Sequence, residues 1–393
     1  MAGKVPTKLQ RTRLFTPGPC MVPEEVLLEM ARPQEHHRTK AFIELARGVN
    51  EDLGYVFGTS GPVLTVTGSG TAAMEMAQLA LCPGPGSEGH TLCVNGGKFG
   101  ERWVEVCAAH GLKHQVINVA WGEAVTAGAI ESHLLKHGDC RAVVLCHSET
   151  STATACDLQA IARVCSVREV LLIVDGITAV GALPMKMDEW GVDCCVCGSQ
   201  KAFMLPPGLG FVALGPRAAE RVRSGNGGGA IRGLYMDLGG YLAGHEDANP
   251  PYTPNNQLIR GLAVVLSHMR AVGLEAIWHK TSCLARATRA AASALGMEVY
   301  SRSPSDSLTA LVVPEGVKEK DLRAGIRRRY GIELAGGQEQ LSGKIVRINH
   351  MGYVDGYDMA GLLGALEMEL QACGHRFSLG AGVGAALPIL AEI

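Results

Sequence analysis

Short runs of apolar and β-branched residues recur through the first half of the chain, separated by stretches whose apolar positions return every three or four residues. Between about Val63 and Leu214, residues 63–66, 143–146, 170–174, 194–197 and 210–214 read as strands, and residues 71–81, 102–110 and 158–165 as helices between them. This alternation predicts βαβ units and a mostly parallel sheet, hence an α/β large domain. Gly225-Asn226-Gly227-Gly228-Gly229 interrupts it with a loop too flexible for a regular element. Beyond the turn at Pro250, Pro251 and Pro254, a helical pattern from Gln257 toward Leu295 reads as one long bridge between domains. Strands at 307–313 and 344–349 with helices at 319–330 and 357–373 then predict a smaller α+β domain. The divisions are an N-terminal arm at 1–20, a large domain at 21–256 and a small C-terminal domain at 257–393. The apolar but Gly- and Pro-broken stretch from Leu379 reads as a tail on the protein surface or on a partner subunit.

Composition narrows the function. The 393 residues are 47% hydrophobic, enough for two domains around one site, and the net charge of -2 provides no field for nucleic acid or an anionic membrane. Any bound anion must be held locally. Residues 1–14 are basic and polar without the apolar core of a secretory signal, and no apolar run reaches membrane-spanning length. None of the 13 cysteines forms a Cys-x-x-Cys pair, so neither a disulfide framework nor a metal site is expected. Cys194, Cys195 and Cys197 fall in a strand-like run, where free thiols behave as small hydrophobes. So many unpaired thiols point to a reducing, cytoplasmic location.

Three motifs could carry chemistry. Thr67-Gly68-Ser69-Gly70-Thr71 follows a strand and opens a helix; small residues admit a ligand to the backbone, and helix-terminal amides with hydroxyls suit a phosphate. Taken alone it reads first as ordinary helix capping. Asp175 ends an apolar strand, where open α/β sheets place ligands; it could keep a pyridine nitrogen protonated or simply cap the next segment. Lys201, in Gly198-Ser199-Gln200-Lys201, stands beyond a buried strand and before the rigid Leu205-Pro206-Pro207-Gly208, and a desolvated lysine forms Schiff bases readily. Phosphate cup, acid and lysine in that order are what pyridoxal 5'-phosphate requires.

With these motifs, from Phe15-Thr16-Pro17-Gly18-Pro19 to the last helix, the chain resembles class V pyridoxal-phosphate aminotransferases, in particular the alanine/serine-glyoxylate (serine-pyruvate) family. The resemblance implies a fold type I enzyme, with Lys201 carrying the cofactor as a Schiff base and Asp175 on its ring nitrogen. Ser69, Gly70, Thr71 and Gln200 would hold the phosphate, Phe99 would stack on the ring and Thr150 would bond its phenolic oxygen. Arg347 would clamp the substrate carboxylate, with Gly18 beside it. Tyr252 and Thr253 would reach the phosphate of a neighbouring subunit, which implies a homodimer with shared sites, and His36-His37-Arg38-Thr39 resembles a segment near that interface. The implied reaction moves an amino group from alanine or serine to glyoxylate or pyruvate by a ping-pong route. Aspartate as donor, and a cysteine desulfurase or lyase using Cys20 or Cys373, are the alternatives; a non-catalytic scaffold is disfavoured by the intact Lys201, Asp175 and Arg347. Three positions depart from the family pattern: Ala153 where Gly is usual, Gly176 where Ala or Ser is usual, and Asn255-Asn256 in place of an apolar pair.

Overall fold

A computed structural model describes residues 11–225, 233–246 and 249–393. Most of the glycine-rich loop, including Gly227, lies outside the described residues. Seven strands form the central sheet: β1 (Val63–Gly68), β2 (His90–Asn95), β3 (His114–Asn118), β4 (Cys140–Cys146), β5 (Leu171–Asp175), β6 (Cys194–Gly198) and β7 (Gly208–Leu214). Their order is β1-β7-β6-β5-β4-β2-β3. From β3 to β6 all neighbours run parallel, while β7 is antiparallel to both β6 and β1. Every residue of β5 and β6 is buried, as expected for central strands covered on both faces. The three β6 cysteines are therefore core residues, and all 13 thiols are free.

Of the helices that cover the sheet, α1 (Gly70–Leu81) and α2 (Lys98–Ala109) matter most for the site. The predicted bridge is not one helix. α3 (Asn256–Val272) and α4 (Leu274–Ala294) meet at 88° around Gly273, whose φ of 84° lies in the left-handed region that glycine adopts without strain. Among the described residues no single helix is long and apolar enough to cross a membrane.

The small domain sets β8 (Leu308–Val312), β9 (Ala335–Gly336) and β10 (Ile345–Asn349) in the order β8-β10-β9, against α5 (Glu319–Tyr330) and α6 (Gly356–Ala372). The predicted C-terminal tail is corrected to a helix, α7 (Ala381–Leu390). It packs on this domain because the buried Glu367 carboxylate accepts the Gly380 and Val383 amides at its start, the latter at 2.7 Å. The N-terminal arm joins the domains: Arg13–Leu14 pairs with Ile332–Glu333, and Phe15 is buried in the small-domain core.

Candidate active site

Parallel strands end at one edge of a sheet, and the predicted groups gather there because β5 and β6 stop side by side. Asp175 is the last residue of β5 and is buried. One carboxylate oxygen accepts the Ile177 amide at 2.8 Å; the other meets the Cys146 thiol at 3.6 Å. Capping the next turn and facing a ligand are thus compatible, one oxygen serving each. Burial raises the carboxyl to about 6, and the Ile177 amide offsets only part of this.

Lys201, three residues beyond β6, is 8% exposed. Its Nζ donates to the Pro17 carbonyl at 2.5 Å, and among the described residues it has no carboxylate partner. Burial lowers its pKa, and the Cys20 and Asp175 sites offset only part of this. Gly18 lies against it: with φ at 130°, an added Cβ would sit 2.6 Å from Lys201 Cε. The arm therefore reaches the lysine only with glycine here.

The cup motif forms as predicted, but its hydroxyls are not used for capping. Ser69 is the N-cap of α1, and its side chain makes no capping bond, leaving the first-turn amides open. Thr71 Oγ1 instead accepts from Arg102 at 3.1 Å, and that guanidinium lies 5.0 Å from the centre of the Phe99 ring. Gln200 presents a buried Oε1 without a partner, and a Cβ on Gly198 would lie 3.0 Å from it and 3.3 Å from the Gly70 nitrogen. Open helix amides and backbone too close for a side chain make a cradle that fits a phosphate, to which Gln200 would offer its Nε2 amide hydrogens rather than the acceptor Oε1.

Arg347, on β10, is 7% exposed. Its Nε donates to the Gly336 carbonyl and its Nη1 to the Thr150 carbonyl, both at 2.9 Å. Two backbone carbonyls orient the fork, and no carboxylate among the described residues neutralises it. Burial lowers its pKa to about 10, still far above neutrality. Thr150 Oγ1 contacts Thr178 Oγ1 at 3.1 Å, which fixes its hydroxyl at this edge.

Glu149, next to Thr150, has no role that the sequence reveals. Its buried carboxylate accepts the Phe99, Gly100 and Ser151 amides at 3.1, 2.8 and 3.0 Å, and the Ser151 hydroxyl at 2.6 Å. It thereby starts α2 four residues before the predicted helix and holds Phe99 in its first turn. Arg102 is likewise absent from the predicted site; its place three residues after Phe99 on the helix is the available signal.

Tyr252 and Thr253 share no hydrogen bond with Lys201 among the described residues. The Tyr252 hydroxyl donates to the Leu234 carbonyl at 2.6 Å, its ring packs 5.1 Å from Tyr235, and Tyr235 donates to the Thr67 carbonyl at the back of the cup. Thr253 is exposed. The segment 36–39 starts a separate helix, Lys40–Phe57, with Thr39 as its cap.

The departures have local reasons. Asn255 caps α3 through Leu258 N at 3.1 Å and donates its own amide to Thr67 Oγ1, while Asn256 binds the Glu35 carbonyl. A Cβ at Gly176 would lie 2.7 Å from Cys195 Sγ and from Val180 Cγ2. Ala153 has φ at 58°, so it occupies a conformation that glycine would fill without strain.

A family model described as "Aminotransferase class-V" matches residues 14–375. The chain belongs to the class V aminotransferases. Within that family it is 38% identical over 97% of its length to the "Soluble hydrogenase, small subunit" of Synechococcus sp., covering 98% of that protein. It is 35% identical over 95% of its length to a serine-glyoxylate aminotransferase of Hyphomicrobium methylovorum, covering 93% of it. It is 33% identical over 95% of its length to an L-aspartate-glyoxylate aminotransferase of Paracoccus denitrificans, covering 94% of it. Its fold superposes on the crystal structure of a pyridoxamine-pyruvate aminotransferase from Mesorhizobium loti with a TM-score of 0.91, at 26% identity and 99% coverage of both chains. This class V aminotransferase is a pyridoxal-phosphate enzyme, and the chemistry of the cup, Asp175 and Lys201 fits that cofactor.

Proposed function

We propose that this enzyme transfers the amino group of a small L-amino acid, serine or alanine, to glyoxylate or pyruvate by a ping-pong route. The observation that carries the reading is the pair of buried cations, Lys201 and Arg347, each without a carboxylate partner among the described residues. A buried arginine held only by carbonyls suits a bidentate substrate carboxylate. The names of the relatives from Hyphomicrobium and Paracoccus support glyoxylate as acceptor.

In this reading, the Gly70 and Thr71 amides, Ser69 and Gln200 would hold the phosphate, with Arg102 adding positive charge beside Thr71. Phe99, held by Glu149, would supply an aromatic face for the ring, and the Thr150 hydroxyl would be a donor for its phenolic oxygen. Asp175 would keep the ring nitrogen protonated. When bound, pyridoxal phosphate supplies an electron-withdrawing ring that stabilises charge left on the substrate α-carbon. Lys201, its pKa lowered by burial, would be the residue that holds the cofactor covalently, and its amine would be the base for the substrate α-proton. Pro17 and Gly18 orient its amine from the arm. Arg347 fixes the carboxylate so that the α-hydrogen faces Lys201. A desulfurase needs an ionisable, mobile thiol; Cys20 is buried, and its pKa is pushed up to about 11.

We further propose a cytoplasmic homodimer, supported by the 13 free thiols and by the exposure of Thr253, which the family resemblance directs to a neighbouring subunit. Aspartate is the second reading, favoured by the Paracoccus relative. The deciding experiment records the visible spectrum of the loaded enzyme with L-serine, L-alanine, L-aspartate or L-cysteine alone. Loss of the cofactor band with serine or alanine, restored by glyoxylate or pyruvate, is expected. A response to aspartate alone would replace the donor, and no response to any would defeat the reading.

A further inference from the structure

On the small domain, away from Lys201, α5 and the strand Ile332–Glu333 enclose an open groove of about 440 Å³. It is lined by Lys320, Arg323, Ala324, Arg327, Arg328 and Glu333. The spacing along α5 puts these cations on one helix face. Arg327 is paired with Glu333 at 3.1 Å and Arg323 with the buried Glu319. Lys320 and Arg328 have no ion pair among the described residues, whereas the adjacent Arg329 turns away to Glu369 at 3.3 Å. Four cations meet two carboxylates, which leaves Lys320 and Arg328 unpaired in a space of small-molecule size.

The inner wall of this groove touches the residue that holds Arg347. Arg323 Nη1 donates to the Leu334 carbonyl at 3.4 Å, and an added Cβ on Gly336 would lie 3.1 Å from Arg323 Nη2. Gly336 is therefore packed against the Glu319–Arg323 pair on one side while its carbonyl accepts from Arg347. A charge placed in the groove acts on Arg323, and Arg323 bears on the backbone unit that positions Arg347.

We infer that the groove is an effector site for a small phosphate-bearing anion, and that its occupancy weakens the hold of Arg347 on the substrate carboxylate. Arginine forks and an unpaired lysine match phosphate oxygens. An anion there draws Arg323 from Gly336 and opposes the negative charge of the substrate. Neither Lys201 nor Asp175 bonds Arg323 or Gly336, so the effect is read first on KM for the amino donor, through the hold of Arg347 on its carboxylate.

The test uses the loaded enzyme, in which the cofactor already fills the phosphate cup, at constant ionic strength with chloride as control. Calorimetric titration with inorganic pyrophosphate and, separately, glucose 6-phosphate distinguishes a free phosphate from an ester; saturable binding of either supports the site. One site per chain is expected, weakened at least about tenfold in Lys320→Gln/Arg328→Gln, a variant whose activity without anion is unchanged. The bound anion should raise KM for the amino donor about fivefold in the parent and not in the variant, the low end of ordinary coupling between sites. Absence of saturable binding, binding that survives the double substitution, or an unaltered KM would each overturn the inference. The KM effect rests on the transaminase reading, but the titration does not, so failure of either is distinguishable.

Discussion

Asp175 and Glu149 are both buried carboxylates at the same edge of the sheet, but their surroundings differ. Glu149 is saturated: three amides and a hydroxyl converge on it, tying the start of α2 to the loop after β4. Asp175 has one amide and a thiol, and burial pushes its pKa to about 6. A carboxylate that folding has fully satisfied is a structural group. One left short of donors is costly until a ligand cation arrives, which marks it as a group built for chemistry.

The comparison is most sharply tested by Asp175→Asn. It should lower kcat by about a thousandfold, the scale of losing a transition-state electrostatic partner, while leaving the fold intact. A comparable loss of stability would mean that Asp175 is structural after all. Glu149→Ala should do the reverse in kind. Chemical denaturation of the cofactor-free protein should register a loss of about 3 kcal/mol, because several buried donors lose their acceptor. Weaker retention of the cofactor should accompany it as Phe99 loses its anchor; unchanged stability would refute the assignment.

The pH dependence has a definite sign. Because the folded-state pKa of Asp175 is raised from 3.8 to about 6, the folded cofactor-free protein binds more protons than the unfolded chain between those values. Its contribution is therefore fully present below about pH 4 and is lost as pH rises toward 6, by up to about 3 kcal/mol at about 1.4 kcal/mol per unit. Stability curves of the cofactor-free parent and Asp175→Asn should diverge across this window, with the variant gaining as pH rises; parallel curves would contradict the shift. The smallest effect belongs to Ala153→Gly in the loop following Glu149. Relief of the left-handed alanine should stabilise the fold by up to about 1 kcal/mol, offset in part by the freedom of glycine in the unfolded chain, with turnover unchanged. A destabilised variant would show that the alanine methyl is needed for packing.

These two carboxylates also mark what can be read from sequence. Asp175 is legible because it ends an apolar run, and Lys201 because it succeeds another; strand ends are local features. The work of Glu149 is not, since its donors on Phe99 and Gly100 lie 50 and 49 positions away. For the same reason the predicted start of α2 is late: its first turn depends on an acceptor supplied by a distant loop. The strands His90–Asn95 and His114–Asn118 escape a reading by pattern because each has only a two- or three-residue apolar core between polar ends. Gly273 is in plain view within the long helical pattern, but only packing reveals that the chain turns there by 88°. Arg347 can be placed on a strand; its freedom from a carboxylate partner, which makes it a candidate clamp, emerges only from the fold.

The central claim is that Lys201 is the residue to which the cofactor is attached. Reducing the loaded enzyme with borohydride and mapping its peptides by mass tests this directly. The added mass of the cofactor should be found on the peptide containing Lys201 and on no other, and Lys201→Ala should carry none. Stable attachment to a different lysine, or a fully loaded parent enzyme with no modified peptide after reduction, would contradict the account.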